Sequence, residues 1–239
     1  MKTVQKLLLG TALGLLLSTS TLLADTMTPL EISEKAYSAL DSRQSYTFDA
    51  VIVNYSDDGS NKHQVSVKVN RPDQVRIDVK GDIRNTSSYL NNGIYTIYDH
   101  DQNMYVHIET AKSIEKTLDT LFERFDFKAP LAQLIYSDME NRLIFAKSKN
   151  FGIVDLAGEE CHYIAFSNKT TEVHAWVTTG DKPLIKHYRI VDKTSKNNAY
   201  KSTTIHWEKA SSIAASDFVF TAPKNAQEAF INNNTKDTK

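Results

Sequence analysis

Hydrophobic and polar residues alternate along most of the chain from Tyr46 onward, with the period of two that is typical of half-buried strands. Val65, Val67 and Val69, for example, alternate with serine and lysine. Glycine, asparagine and aspartate interrupt the alternation at intervals and indicate tight turns, so the pattern predicts an antiparallel sheet. The predicted strands cover residues 46–55, 63–70, 74–80, 86–90, 94–99, 104–108, 151–156, 161–166, 172–177, 184–191 and 199–207.

Two segments depart from this alternation and predict helices. Residues 28–31 supply a capping threonine, a first-turn proline and a glutamate that can return a hydrogen bond, which favours a helix over residues 29–40. Apolar residues recur at helical spacing within 114–125, and a second short apolar segment, 131–136, follows. We therefore expect one N-terminal helix and one helical insertion within the sheet.

The number of predicted strands constrains the shape of the sheet. About ten or eleven strands in one meander are too many for a flat open sheet, which should therefore curl strongly. The predicted fold class is mainly β, of the α+β type, in a single domain over residues 25–231. Residues 232–239 are polar and are expected to form a disordered tail.

The first 24 residues have the order of features of a cleavable signal peptide. Lys2 and Lys6 precede an apolar run of about 11 residues, well short of the roughly 20 that a membrane-crossing helix needs. Cleavage is expected after Ala24, although Leu22 is larger than the residue usual at its position, and a retained anchor is the alternative. The prediction is export to the bacterial periplasm, with no stable membrane insertion after cleavage.

Charge and cysteine content exclude several classes of protein. The chain carries 28 basic and 29 acidic residues, a balance that argues against nucleic-acid binding. Cys161 is the only cysteine, so neither a lipidated cysteine after the signal nor an intramolecular disulfide is expected. With eight glycines and no phosphate-cradling loop, the sequence also predicts no nucleotide cofactor.

The residues able to perform chemistry do not form a recognisable catalytic or metal-binding motif. Cys161 and His162 are adjacent in a predicted strand and should point to opposite faces. The other strand histidines have no metal-ligand spacing, and paired carboxylates such as Glu159 and Glu160 lie in predicted turns. We expect a protein that is not an enzyme and has no cofactor or metal, unless folding brings histidine, carboxylate and Cys161 together in a cleft.

Aromatic residues are abundant on the predicted strands and have two interpretations. They pack between the sheet and the helices, or some of them line an apolar cavity of the kind that a curled sheet can leave beneath a helix. Both faces of the predicted strands carry aromatics, so alternation does not identify the concave face. The candidate cavity-lining, ligand-binding residues are Tyr95, Tyr105, Trp176, Tyr188 and Trp207.

Residues spread over nearly all of the chain resemble a family of predicted periplasmic proteins, domain of unknown function 2092. The matching positions in the first half are Arg71, Pro72, the strand 75–79, Asn92, Gly93, Tyr95, 103–105 and 129–134. Those in the second half are Gly158, Cys161, His162, Ala165, Phe166, Trp176, Pro183, Leu184, Lys186, Phe218, Phe220, Pro223 and Ala226. The sequence departs from the family pattern at Gln133, in place of an acidic residue, and at Ser167 and Asn168, in place of a basic one.

The resemblance implies a fold similar to periplasmic lipoprotein carriers of the LolA/LolB type. Such a fold is an incomplete antiparallel barrel whose concave apolar face is covered by helices. Our first hypothesis is a non-catalytic binding protein that holds a lipid, a lipoprotein acyl chain or another apolar group, with residues 114–136 as a lid. The alternative is a module that recognises another envelope protein through a strand edge or an aromatic patch and needs no small ligand.

Overall fold

The computed structural model describes residues 27–142, 145–208 and 213–230. Within these residues the chain forms two α-helices and one sheet of twelve strands that does not close into a barrel. The predicted signal peptide and polar tail lie outside the described residues. The elements are α1 (Pro29–Asp41), β1 (Ser45–Ser56), β2 (Gly59–Asn70), β3 (Gln74–Gly81), β4 (Asn85–Asn91), β5 (Ile94–Asp99), β6 (Met104–Glu109), α2 (Ile114–Phe125), β7 (Lys147–Leu156), β8 (Glu159–Ser167), β9 (Thr171–Thr178), β10 (Ile185–Asp192), β11 (Tyr200–Trp207) and β12 (Gln227–Glu228).

The two predicted helical segments are confirmed. At the start of α1 the Thr28 hydroxyl accepts a hydrogen bond from the Glu31 backbone at 3.3 Å, and the Glu31 carboxylate accepts one from the Thr28 backbone at 2.7 Å. Ile32 and Leu40 are buried on the inner side of the helix. Of the helices in the described part of the chain, neither is long and apolar enough to cross a membrane.

The antiparallel sheet is confirmed, but the single continuous meander is not. Strands β1–β6 pair in succession, as do β7–β11, and the two runs join where β11 pairs with β1. The prediction of one meander was wrong because the insertion separates β6 from β7 and leaves the outer edge of β1 free for β11. The two-residue strand β12 pairs in parallel with β6 and was too short for alternation to reveal.

The core lies on one face of the sheet, which is the concave one. Ala50 of β1 faces Val65 of β2, and Val65 faces Val79 of β3, so small apolar side chains form a continuous row across three strands. All three are buried beneath the helices. Packing of α1 and α2 on this face removes its apolar side chains from water.

The insertion crosses this face because of the strand order. Strands β6 and β7 lie near opposite edges of the sheet, so the connection between them must traverse it. The connection consists of α2 and two short 3-10 helices, Ala132–Leu134 and Met139–Arg142. Ile114, Leu121 and Leu134 are fully buried in the same core as the strands. The helical insertion is therefore a cover over the concave face, as expected.

The chain after β11 packs on the opposite, convex face. A third 3-10 helix, Ala215–Phe218, lies against β3 and β4, with Phe218 buried. The Phe220 ring then lies 5.5 Å from the ring of Tyr89 and 5.1 Å from that of Tyr105. This segment shields part of the outer face and leads into β12.

Candidate functional site

A cavity of about 410 Å³ lies between the concave face and the insertion. Its volume falls in the range of about 300–1,000 Å³ that is typical of small-molecule sites. Most of the wall is apolar, and the polar groups lie among Asn54, Arg84, Lys128, Gln133 and Lys201. The apolar wall consists of Ile52, Val65, Val79, Tyr188 and Ile190 from the sheet and Leu118, Phe122, Phe127, Ala129, Pro130, Leu131, Ala132 and Tyr136 from the insertion.

Short side chains explain why the space exists. The insertion presents Ala129, Pro130 and Ala132 to the cavity, and the sheet presents Val65 and Val79. Larger residues at these places would fill the gap between a curved sheet and its cover, as side chains do in an ordinary close-packed core. The local sequence therefore leaves a gap lined mainly by apolar side chains.

Buried polar contacts fasten the insertion to the sheet. The Tyr46 hydroxyl donates a hydrogen bond to the Leu134 carbonyl at 2.8 Å. The guanidinium of Arg71 donates to the Ile135 carbonyl at 3.0 Å and forms a salt bridge of 3.1 Å with Glu115. Since both side chains come from the sheet side of the core, these bonds hold the insertion against the sheet.

Glu115 at the start of α2 is held as an anion. Burial by itself would raise the pKa of Glu115, but hydrogen bonds from Ser137 (2.6 Å) and Ser113 (2.9 Å) and the charge of Arg71 outweigh it. The net effect is a pKa below the usual range of a glutamate. The salt bridge with Arg71 is therefore fully charged at neutral pH.

Two further contacts shape the cover. The Gln133 side-chain amide donates a hydrogen bond to the Tyr188 hydroxyl across the cavity wall. Burial raises the pKa of Tyr188 to about 12, so this hydroxyl remains neutral. Within the insertion, Arg142 makes salt bridges of 2.7 Å with both Asp119 and Asp138.

Three cations border the cavity. Arg84 lies in the turn between β3 and β4, Lys128 follows α2, and Lys201 belongs to β11. Lys201 is an exposed residue, but partial desolvation of its ammonium, followed by the positive charges of Arg84 and Lys128, lowers its pKa below the usual value. The Lys128 ammonium also lies 5.0 Å from the centre of the Phe122 ring, a cation–π contact at the rim.

Three of the five predicted site residues lie on the concave face. Tyr188 lines the cavity. Tyr95 lies deeper in the core, with its ring 6.2 Å from that of Phe127. Trp207 packs 4.8 Å from the ring of Phe48, and its indole nitrogen donates to the Ile185 carbonyl at 2.8 Å. Ligand contact by these residues stays a prediction.

The other two predicted residues lie on the convex face and are not part of this cavity wall. Tyr105 contacts Phe220 of the C-terminal segment at 5.1 Å. Trp176 stacks on Tyr163 with ring centres 4.5 Å apart and planes 7° apart. The physical reason is strand register, which places each of them one residue out of phase with the buried positions of its strand.

Residues that sequence reasoning did not single out supply much of the wall. The three cations stand far apart in the sequence, and no local spacing indicates that they would meet. Phe122 and Phe127 belong to the segment expected to form a lid, but their role as wall residues depends on how α2 is turned against the sheet. The signal available in the sequence was the group of small residues Ala129, Pro130 and Ala132, which lies close to the aromatic residue Phe127.

Two groupings of chemically capable residues outside the cavity do not have the arrangement of a catalytic triad. Cys161 and His162 lie on opposite faces of β8, as alternation predicts. Ser87 contacts His100 at 2.8 Å and Asp78 at 2.5 Å, so the carboxylate binds the serine and does not orient the imidazole. In the described ranges, no three or more histidine, cysteine or acidic side chains cluster as metal ligands.

Cys161 is expected to react slowly with thiol reagents in the folded protein. Its side chain is completely buried, and burial followed by the charge of Glu159 raises the pKa of the Cys161 thiol. Labelling with Ellman's reagent should be complete within minutes in guanidinium chloride and much slower without it. Rapid labelling under native conditions would contradict the structure at β8.

Comparisons with known proteins bear on the fold and the family. An uncharacterised conserved protein from Thermus thermophilus superimposes with a TM-score of 0.51 at 11% identity, over 83% of this chain and 96% of that one. A LolA superfamily protein from Nitrosomonas europaea gives a TM-score of 0.41 at 10% identity, over 81% and 98%. The lipoprotein LppX from Mycobacterium tuberculosis gives 0.44 at 9% identity, over 77% and 97%. The first superposition supports the fold, whereas the other two have TM-scores below 0.5 and support no conclusion.

Sequence comparison gives a more direct result. No curated protein is detectably similar to the sequence. The family model described as "predicted periplasmic protein (DUF2092)" matches residues 31–231, which include most of α1, the whole sheet and the insertion. This match extends over most of the chain and includes every residue of the cavity wall. The chain therefore belongs to the family of predicted periplasmic proteins designated domain of unknown function 2092.

Proposed function

We propose that this protein is a non-catalytic periplasmic binding protein that holds an acyl chain or another apolar group in the cavity beneath the insertion. The observation that supports the proposal is the apolar cavity of about 410 Å³ between the sheet and a cover fastened by polar contacts. In this proposal the signal peptide 1–24 directs export and is removed after Ala24, and residues 25–231 act as one domain.

The cavity offers enough apolar surface for a useful affinity. Burial of each methylene group is worth about 0.8 kcal/mol, so a chain of about ten carbons gains roughly 8 kcal/mol before the cost of association. The Tyr188 and Gln133 side chains contribute polar atoms to the wall. They are already paired with each other, so an apolar guest leaves neither of them without a partner.

Native mass spectrometry of the mature protein, purified gently from periplasm, tests this proposal. We expect an added mass of lipid size that disappears after organic extraction, and lipid analysis of the extract then gives the class of ligand. A protein that carries no ligand and also fails to bind an apolar fluorophore such as 1-N-phenylnaphthylamine would contradict the proposal.

A second candidate function, recognition of another envelope protein, is favoured by an aromatic strip on the convex face. Phe151 is 42% exposed and stacks on Tyr163 at 4.4 Å, and Tyr163 stacks on Trp176. The strip begins at Phe151 on β7, an edge strand of the sheet. Lys147 and Lys149 on that strand work against simple strand addition, so the aromatic rings would be the recognition surface.

A further inference from the structure

We infer that the ligand is an anionic amphiphile, whose carboxylate or phosphate headgroup binds between Arg84, Lys128 and Lys201 while its apolar chain occupies the cavity. This inference rests on the proposed function and specifies its ligand class. The observation behind it is the meeting of three cations from three separate elements at one apolar cavity.

The described part of the chain places no acidic partner beside the three cations. Within residues 27–142, 145–208 and 213–230, none of their side chains forms a salt bridge, and no carboxylate lines the cavity. Asp82 shares the turn with Arg84, but its carboxylate accepts a hydrogen bond from the Lys62 backbone at 2.8 Å. By contrast, the arginines that fasten the insertion are each paired with a carboxylate.

The cations also repel one another. Arg84, Lys128 and Lys201 line one cavity, so their positive charges repel one another, and the charges of Arg84 and Lys128 add to desolvation in lowering the pKa of Lys201. A bound anion would relieve this repulsion and accept charge-assisted hydrogen bonds. A neutral apolar ligand would leave it in place, so the same chain should bind more tightly with an anionic headgroup.

The rim of the cavity combines an apolar surface with positive charge, as binding of an anionic amphiphile requires. Phe122, which is 47% exposed, lies under the Lys128 ammonium, so an apolar surface and a positive charge adjoin at the rim. A free inorganic anion would use the cations and leave the cavity unfilled. An uncharged lipid would fill the cavity and leave the cations unpaired. Only a molecule with both parts matches both features.

The test compares ligands of equal chain length on the mature protein. Displacement of 1-N-phenylnaphthylamine is measured with decanoate and decyl phosphate below their micelle concentrations, with decan-1-ol below its solubility limit, and with inorganic phosphate alone. We expect both anions to compete about tenfold better than the alcohol, inorganic phosphate to have no effect, and the preference to shrink as sodium chloride rises.

A triple variant identifies the residues responsible. The combination Arg84→Gln, Lys128→Gln and Lys201→Gln should abolish the preference for the anions, so that decanoate and decan-1-ol displace the fluorophore equally well. The matched control replaces Lys169, Lys196 and Lys224, three exposed lysines outside the cavity, and should behave as the wild type. Circular dichroism verifies that both variants fold.

The outcomes separate this inference from the proposed function. The inference of an anionic headgroup would be wrong if decanoate and decan-1-ol competed equally for the wild-type protein. It would also be wrong if the triple variant still preferred the anions to the alcohol. Either result would leave the proposal of an apolar binding cavity standing. If inorganic phosphate displaced the fluorophore as effectively as decyl phosphate does, the ligand would be a free anion and the inference of an amphiphile would be wrong. Failure of the fluorophore to bind the wild-type protein would count against the proposed function itself.

Discussion

Replacing Ala132 by phenylalanine is expected to weaken binding of 1-N-phenylnaphthylamine at least about tenfold, because the new ring occupies the space of the guest. Ala132 lines the cavity from the first 3-10 helix of the insertion and is only partly buried, so the ring can enter the cavity without displacing the core. Fluorescence titration measures the affinity, and thermal unfolding measures the stability, which should change little.

The control for this variant adds the same ring elsewhere. Ala215 is exposed at the start of the 3-10 helix on the convex face, so Ala215→Phe should bind the fluorophore as the wild type does. Val79→Phe fills the same cavity from the sheet and repeats the test if Ala132→Phe folds poorly. Unchanged binding in both cavity variants would show that the guest binds elsewhere.

Replacing Arg71 by methionine should lower the stability by about 3 kcal/mol, near the low end for breaking a buried ion pair. The Arg71 side chain is only 11% exposed, and its loss leaves the Glu115 carboxylate and the Ile135 carbonyl without a cationic donor. For a domain of this size, the expected fall in melting temperature is roughly 6–12 °C. Differential scanning calorimetry provides the measurement.

A second arginine serves as the matched control. Arg76 pairs with Asp78 on the convex face, where both side chains are about one-third exposed, so Arg76→Met should cost at most about 1 kcal/mol. Equal losses of stability in the two variants would mean that the contacts of Arg71 do not fasten the insertion to the sheet.

The difference in the free energy of unfolding between the wild type and Arg71→Met should depend on pH. The pKa of Glu115 is lowered in the folded protein, so its contribution to stability is present above its unfolded value of about 4.5 and is lost as pH falls through the lower folded value. Arg71 is one cause of that lowering. The stability gap between the two proteins should therefore be largest near neutral pH and narrow in acid, and a gap that is constant down to pH 3 would contradict this linkage.

Most of the secondary structure follows from local patterns in the sequence. The start of α1 is specified by Thr28 and Glu31, which bond to each other over three residues. The strands are specified by alternation such as that of Val65, Val67 and Val69. These signals involve residues that are neighbours in the chain, so their physical effect does not depend on the rest of the fold.

The identity of the concave face and of the cavity wall was decided only by tertiary structure. Pairing of β1 with β11 places Phe48 opposite Trp207, and this contact between distant parts of the chain sets which aromatic residues face the insertion. Tyr188 and Trp176 are both aromatic residues in neighbouring strands. The register of the two strands nevertheless places Tyr188 in the cavity wall and Trp176 on the convex face.

The positions of the three cations around the cavity were likewise decided only by tertiary structure. Arg84, Lys128 and Lys201 look like ordinary surface residues in the sequence, because nothing in their neighbourhoods marks them. They meet only when the turn after β3, the end of α2 and strand β11 converge at one cavity. Local chemistry thus determined the helices, the strands and the expected export of this chain, whereas long-range pairing and the path of the insertion decided where a guest could bind and which charges surround it.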